Sequence, residues 1–182
     1  TLELRISRYW DVKTDPEIAG LEEDDAIAGF RDLLSDSVRL RLRSDVPVGA
    51  HLSGGLDSSA ISCLAAEQLP GRLQVFTCGF KDAGRYDETR YAKLVSEHIG
   101  AAYHEYFPSA QDLADTFEKL VYWLDEPVAG AAVFPQYFLS RLASENVKVV
   151  LGGQGGDELF CGYARYLVGY LESCLQRSIY GT

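Results

Sequence analysis

Several features that identify common protein classes are missing from this 182-residue chain. It contains no methionine and begins at Thr1, so we expect an excised or processed piece of a longer protein. It has no apolar run of about 18 residues and no basic–apolar start, so neither a membrane span nor a signal peptide is predicted. We therefore expect a cytoplasmic protein with no membrane partner.

The four cysteines and three histidines form none of the spacings typical of a metal site. They are Cys63, Cys78, Cys161 and Cys174, with His51, His98 and His104. Because no C-x-x-C pair occurs, the cysteines are predicted to be reduced thiols of a cytosolic protein. The histidines are predicted to pack or to face solvent rather than to bind a metal ion.

A surplus of positive charge is also missing. The chain has 17 Lys and Arg against 27 Asp and Glu, which gives a net charge of −10. This balance argues against a nucleic-acid partner, because proteins that bind nucleic acids present basic surfaces to the phosphates. Hydrophobic residues make up 47% of the chain, which argues against disorder and is enough for one well-buried domain.

Short apolar runs alternate with helical patterns along most of the chain. The apolar runs predict strands at 48–52, 73–79, 102–107 and 148–151. Apolar spacing and capping residues predict helices at 25–42, 58–66, 87–98, 109–124 and 137–145. In the helix at 87–98, the residues predicted to face the core are Tyr91, Leu94, Val95 and Ile99. This alternation predicts an α/β fold with a parallel sheet and right-handed crossovers.

The start of the chain lacks this alternation. Residues 1–24 are mostly polar, with one aromatic anchor at Arg8-Tyr9-Trp10-Asp11. We predict that 1–24 is an irregular lead-in segment from an upstream domain and that 25–182 forms the α/β domain.

A glycine turn follows the first predicted strand. It reads Ser53-Gly54-Gly55-Leu56-Asp57-Ser58 and opens into a helix. Glycine lets the backbone turn tightly and approach a ligand, and a helix N-terminus offers unpaired N–H groups to an anion. The turn therefore predicts a phosphate site; the alternative is a corner whose glycines serve packing alone. It is neither a P-loop, since no Lys follows the glycines, nor a dinucleotide motif, since G-x-G-x-x-G is missing.

A second glycine turn follows the fourth predicted strand. It reads Gly152-Gly153-Gln154-Gly155-Gly156-Asp157-Glu158 and also opens into a helix. By themselves, Asp157 and Glu158 are typical of a helix N-terminus, where acids are favoured. Both turns lie at the carboxyl ends of parallel strands, where ligands bind in such sheets. We therefore predict that the two turns face each other across one crevice.

These motifs carry a resemblance to a known family. The first turn resembles the SGGxDS pyrophosphate loop of the N-type ATP pyrophosphatases, which include the asparagine, β-lactam, argininosuccinate and GMP synthetases and the tRNA thiolation enzymes. The second turn, continued to Tyr163, and the segment 134–141 are similar to motifs of the asparagine synthetases. The resemblance covers about 8–166 and implies a three-layer α/β/α sandwich of the adenine nucleotide alpha hydrolase type.

The resemblance also implies an activity. The family adenylates the β-carboxylate of aspartate with MgATP and releases pyrophosphate, and ammonia from an N-terminal glutaminase domain then gives asparagine and AMP. The implied cofactors are ATP and Mg²⁺, and the implied partners are aspartate or a related acid, ammonia and, for some relatives, a second subunit in a homodimer. Such chemistry requires preorganised N–H donors and a metal ion for the leaving pyrophosphate.

The resemblance assigns roles to residues of both turns. The residues implied to hold pyrophosphate are Ser53, Gly54, Gly55, Asp57, Ser58 and Ser59. The backbone contacts to adenosine fall on Leu52, Cys78, Gly152 and Gly153. The carboxylates linked to magnesium are Asp57 and Asp157, and the catalytic set is Asp57, Gln154, Asp157 and Glu158.

The chain departs from the family pattern in three respects. Gln154 stands where the asparagine synthetases carry a glutamate, and a glutamine can neither act as a base nor add negative charge. The glutaminase domain is absent from the sequence, and the family's synthetase domain continues beyond Thr182. We therefore expect the isolated chain to bind ATP poorly and to be inactive.

Other functions compete with asparagine synthesis. A β-lactam synthetase or another amide-forming relative shares both turns, and Gln154 keeps this alternative open. A non-catalytic nucleotide-binding module is a further alternative. A tRNA thiolase would require catalytic cysteines and a basic surface, and an N-terminal nucleophile hydrolase acting through Thr1 would require a different order of elements.

Overall fold

A computed structural model of the chain describes residues 4–11, 13, 15–81, 84, 87–128, 130 and 132–181. The chain divides into two compact units, Thr1–Ser37 and Val38–Thr182. Within the described residues, no helix is both long and apolar enough to cross a membrane.

The start of the chain contains more helix than the sequence predicted. Helix α1 spans Pro16–Ala19 and helix α2 spans Glu23–Arg41. The Asp15 carboxylate caps α1 by accepting a hydrogen bond from the Glu17 N–H at 2.9 Å, and Pro16 suits a first helical turn. The expectation that 1–24 is wholly irregular was therefore wrong, whereas the domain boundary after residue 24 stays a prediction.

The second unit is built on a sheet of four parallel strands. They are β1 (Val48–His51), β2 (Gln74–Cys78), β3 (Ala102–Tyr106) and β4 (Val149–Leu151), in the order β3-β2-β1-β4. All four predicted strands are confirmed. The chain runs outward from β1 to β3 and then returns to the other side of β1, so the order reverses between β1 and β4. In open parallel sheets this switch point is where ligands bind.

Six helices belong to the same unit. They are α3 (Leu56–Gln68), α4 (Thr89–His98), α5 (Ala110–Trp123), α6 (Val133–Ser144), α7 (Gly156–Phe160) and α8 (Ala164–Tyr180). The predicted cap of α5 is confirmed, because Ser109 Oγ accepts the Asp112 N–H at 3.1 Å and the Asp112 carboxylate accepts the Ser109 N–H at 2.7 Å. Helix α6 begins at Val133, earlier than predicted, because Pro135 is tolerated in a first turn.

Helices cover both faces of the sheet. On one face, α3 packs against β1 and α4 packs against β2 and β3, with Ala65 and Ala92 fully buried in the same core as Ala50. On the opposite face, α6 packs against Phe76 through Ala143. Because successive side chains of a strand point to opposite faces, each strand contributes to two cores. The predicted three-layer α/β/α sandwich is therefore confirmed.

Helix α4 turns to the sheet a face that shares Val95 and Ile99, but not Tyr91 and Leu94, with the predicted one. Its buried residues are Thr89, Ala92 and Ser96, with Val95 and Ile99 half-buried. Tyr91 and Leu94, which were expected in the core, are 45% and 65% exposed. Small side chains at a spacing of three and four residues allow close approach to the sheet, which apolar periodicity alone does not reveal.

Candidate functional site

The first glycine loop starts from a firmly held point. The Leu52 N–H donates to the Phe76 carbonyl at 2.9 Å, and the buried Thr77 Oγ1 donates to the Leu52 carbonyl at 2.6 Å. These bonds tie the residue after β1 to β2. The loop that follows therefore leaves the sheet in a defined direction.

Serine hydroxyls close the loop on itself. The hydroxyl oxygens of Ser53 and Ser58 lie 2.9 Å apart, and Ser53 Oγ accepts the Gly55 N–H at 3.2 Å. The Gly55 carbonyl accepts from the Ser58 and Ser59 hydroxyls at 3.1 and 2.7 Å. Among the described residues, no side chain caps the start of α3, so its first N–H groups are directed towards the loop.

Gly54 occupies a position that only glycine fits. Its φ of +93° lies in the left-handed region, which L side chains rarely adopt. A Cβ there would lie 2.7 Å from the Glu88 carbonyl oxygen and 2.8 Å from the Ala92 nitrogen. Gly54 therefore allows the loop to lie directly against the first turn of α4.

The second glycine loop lies against the first one, as predicted. A Cβ on Gly153 would lie 2.8 Å from the Ser58 nitrogen. A Cβ on Gly156 would occupy the place of the Asp57 carboxylate, and one on Gly162 would occupy the place of the Asp157 carboxylate. Each of the two carboxylates is thus lodged in the space that a glycine leaves free.

A cavity of about 640 Å³ opens between the two loops. From the first loop, it is lined by Leu52, Ser53, Gly55, Asp57 and Ser58. From the second loop, it is lined by Gly153, Gln154, Asp157 and Glu158, and Cys78 contributes from the end of β2. Ten of the predicted site residues are therefore brought together at the switch point of the sheet.

Three predicted site residues do not line the cavity. Gly54 packs against α4, and Ser59 donates its hydroxyl to the Gly55 carbonyl. Gly152 lies behind Gln154, since a Cβ on Gly152 would be 2.6 Å from Gln154 Oε1. These three residues shape the cavity rather than face it.

The cavity also includes residues that sequence reasoning did not assign. They are chiefly His51, Gln136, Leu139, Gly156, Gly162 and Tyr163. Three of these, Gly156, Gly162 and Tyr163, belong to the second motif. The contact of Gly156 with Asp57 depends on the tertiary fold, whereas that of Gly162 with Asp157 arises within the motif. His51 is the last residue of β1, directly before Leu52, and no spacing in the motifs identifies it.

Acidic groups of the second loop are held by defined partners. Tyr163 Oη donates to Glu158 Oε1 at 2.9 Å. The Glu158 backbone N–H and this tyrosine hydroxyl lower the pKa of the Glu158 carboxyl from its usual value. The two carboxylates predicted to bind magnesium, Asp57 and Asp157, both line the cavity.

The donor set is sparse for a permanent metal site. Within the described part of the chain, no group of three or more His, Cys, Asp or Glu residues could hold a metal ion. Mg²⁺ commonly takes only one or two protein carboxylates, together with water and phosphate oxygens. Asp57 and Asp157 therefore suit a magnesium ion that binds together with a phosphate ligand.

The thiol of Cys78 at the cavity is unreactive. Burial raises the pKa of this thiol to about 11, so it stays protonated at neutral pH. All four cysteines are unpaired, as predicted. Cys78 can therefore offer its backbone to a ligand, but its side chain is not a nucleophile.

His51 makes the stability of the protein depend on pH. Burial lowers the pKa of His51 below its usual 6.5, and its Nε2 has no hydrogen-bond partner among the described residues. Below about pH 6.5 the His51 imidazole binds a proton in the unfolded chain, whereas burial keeps it neutral in the folded protein. The free energy of unfolding therefore falls as the pH falls through this value. We expect the free energy of unfolding to decrease more for the wild type than for His51→Leu between pH 7 and about pH 5.5. Urea denaturation at both pH values measures this, and equal decreases would contradict it.

The chain matches known proteins over most of its length. The family model named asparagine synthase matches residues 29–180. A candidate glutamine-hydrolyzing asparagine synthetase 2 of Methanocaldococcus jannaschii is 40% identical over 169 residues, which cover 92% of this chain and 32% of that protein. The glutamine-hydrolyzing asparagine synthetase 1 of Bacillus subtilis is 40% identical over 145 residues, which cover 80% of this chain and 23% of that protein.

A solved structure supports the fold. The NH3-dependent NAD synthetase of Campylobacter jejuni superimposes with a TM-score of 0.53 at 17% identity, over 75% of this chain and 60% of that chain. At this identity the likeness concerns the fold alone, and it agrees with the predicted adenine nucleotide alpha hydrolase type. The chain spans about a quarter to a third of the length of the two asparagine synthetases that it resembles. The match to the family model over 29–180 shows that the chain belongs to the asparagine synthase family.

Proposed function

We propose that this chain forms the ATP-binding part of a ligase that makes asparagine from aspartate and ammonia. In this reaction ATP adenylates the β-carboxylate of aspartate, pyrophosphate leaves, and ammonia displaces AMP. The observation that carries the proposal is the position of Asp57, whose carboxylate lies in the space left by Gly156 of the opposite loop. Both loops thereby line one cavity at the switch point of the sheet.

The first loop is suited to the departing pyrophosphate. Negative charge grows on this group as the bond to the α-phosphorus breaks, and fixed N–H donors stabilise such charge without reorganisation. The start of α3 offers such donors, and the serine hydroxyls hold the loop in shape. The residues proposed to contact pyrophosphate are Ser53, Gly55, Asp57 and Ser58, which line the cavity, and Gly54 and Ser59 are proposed to hold the loop in shape.

The cavity is also suited to a nucleoside. Its volume of about 640 Å³ lies within the range typical of small-molecule sites. Phe76 and Leu139 supply apolar surface beside the backbone of Leu52 and Cys78. We place the adenosine against this backbone and beside Gly153, which also lines the cavity, whereas Gly152 is proposed to support Gln154.

A magnesium ion would be held by Asp57 and Asp157. Their carboxylates line the cavity, and each is seated against a glycine. When bound, the ion would neutralise charge on the phosphates.

Gln154 and Glu158 lie where the acid substrate would react. The Gln154 amide is neutral and lies over Gly152, so its contribution is to orient a substrate by hydrogen bonds rather than to accept a proton. Glu158 is held by Tyr163 and remains ionised at neutral pH. We further propose that a glutaminase domain supplies the ammonia. The protein is also proposed to form a homodimer and to work in the cytoplasm.

Gln154 also favours a second candidate. A neutral amide in place of the family's glutamate changes the charge beside the acid substrate. The same adenylation chemistry on a different carboxylic acid, as in a β-lactam synthetase or another amide-forming relative, is therefore the alternative. The third candidate function is a nucleotide-binding module that catalyses no reaction.

Amino-acid-dependent exchange of labelled pyrophosphate into ATP tests the proposal. The assay uses the natural gene product that contains this sequence, with Mg²⁺ and a panel of carboxylic acids. We expect exchange with aspartate. Exchange with another acid only would support the second candidate, and ATP binding without exchange for any acid would leave a binding module.

A further inference from the structure

The chain reverses sharply between α7 and α8. Helix α7 ends at Phe160 and is followed by Cys161, whose φ of +58° lies in the left-handed region. The Gly162 N–H donates to the Asp157 carbonyl at 3.0 Å and closes the turn. Since α8 begins at Ala164, Tyr163 is brought back beside α7.

This reversal places Tyr163 against Glu158. The tyrosine hydroxyl donates to Glu158 Oε1 at 2.9 Å, and both side chains line the cavity between the glycine loops. Glu158 is otherwise exposed, so without this bond its flexible side chain would sample several rotamers. The hydrogen bond therefore selects one position of the carboxylate.

The Tyr163 ring is itself held in place. The Arg165 guanidinium lies 3.9 Å from the centre of the Tyr163 ring and 5.2 Å from the centre of the Tyr166 ring. A guanidinium at these distances is attracted to the face of an aromatic ring. Arg165 thus contacts two tyrosines, of which only Tyr163 bonds to a carboxylate of the cavity.

We propose that Tyr163 is a positioning residue, which holds the Glu158 carboxylate towards the acid substrate and is itself fixed by Arg165. This inference rests on the proposed function, because it gives Glu158 a place beside the reacting carboxylate. A misplaced group in such a site lowers turnover more than it lowers affinity for a ligand bound elsewhere.

A pair of matched variants of the natural gene product tests the inference. Tyr163→Phe removes the hydroxyl that bonds to Glu158, and Tyr166→Phe removes a hydroxyl one turn away that also lies near Arg165. In the exchange assay we expect Tyr163→Phe to lower kcat roughly tenfold with KM for ATP within about twofold of the wild type. Tyr166→Phe should leave both constants within about twofold.

The outcomes separate this inference from the proposed function. Equal kcat values for the two variants, with an active wild type, would overturn the positioning role alone. A wild type without exchange would overturn the proposed function. Crystal structures of both variants test the inference even if the wild type shows no exchange. The Glu158 carboxylate should change position in Tyr163→Phe and keep its position in Tyr166→Phe. An unchanged carboxylate in Tyr163→Phe would overturn the inference.

Discussion

Gly156→Ala is expected to abolish pyrophosphate exchange while the protein remains folded. The new Cβ would occupy the place of the Asp57 carboxylate. Since a carboxylate is the end of a flexible side chain, it can rotate away at little cost, and alanine is otherwise the better residue in a helix. We expect the free energy of unfolding to change by about 1 kcal/mol or less and exchange to fall at least about 100-fold. Urea denaturation and the exchange assay measure the two effects.

Gly169→Ala is the matched control for this variant. Gly169 lies within α8, and a Cβ there would meet no atom of the described residues within 4 Å. Alanine at this position should stabilise the protein by roughly 0.5–1 kcal/mol and leave exchange unchanged. If Gly156→Ala retained exchange at the level of Gly169→Ala, the proposed role of the Asp57 carboxylate would be wrong.

Gly54→Ala is expected to cause the largest loss of stability among glycine substitutions in the first loop. The residue would have to adopt a positive φ, which costs roughly 1–2 kcal/mol. Its Cβ would also meet backbone atoms of Glu88 and Ala92 at 2.7 and 2.8 Å. Because backbone atoms cannot move aside as a side chain can, this overlap adds about 1–3 kcal/mol to the loss of stability. We expect a total loss of roughly 2–5 kcal/mol in urea denaturation.

Gly71→Ala separates the two causes. Gly71 has a φ of +115°, and a Cβ there would meet no described atom within 4 Å. This variant therefore carries the backbone strain without the overlap, and we expect a loss of roughly 1–2 kcal/mol. Similar losses of stability for the two variants would show that α4 shifts to make room for the added Cβ at residue 54. A larger loss for Gly54→Ala would show that the loop and α4 are held rigidly together.

Local patterns were sufficient to predict many elements. The strands, the Ser109 cap of α5 and the glycine turns at two strand ends all follow from residues that are near one another in sequence. The face of α4 was predicted correctly at Val95 and Ile99, which pack against the core. It was predicted wrongly at Tyr91 and Leu94, because small residues approach the sheet in their place. The start of α6 was predicted at residue 137, whereas the helix begins at Val133, because its first turn accepts Pro135.

The contents of the cavity could be predicted only in part. Ten assigned residues line it, because both motifs end parallel strands and such ends meet at one edge of the sheet. The functional roles of those residues stay predictions. His51 and Tyr163 were not assigned, since each enters the cavity through a strand end or a chain reversal that no spacing in the motifs encodes.

The sequence by itself determined the class of fold, the family and the two loops that form the candidate site. These features depend on alternating apolar runs and on glycines with particular neighbours, and both are local. Only the tertiary structure decided that Asp57 fills the space left by Gly156, that Asp157 fills the space left by Gly162, and that Tyr163 holds Glu158. The contact between Asp57 and Gly156 joins two separate strand–helix units, so it depends on the strand order β3-β2-β1-β4 and on how closely the loops pack. The other two contacts lie within 157–163 and depend on the chain reversal between α7 and α8.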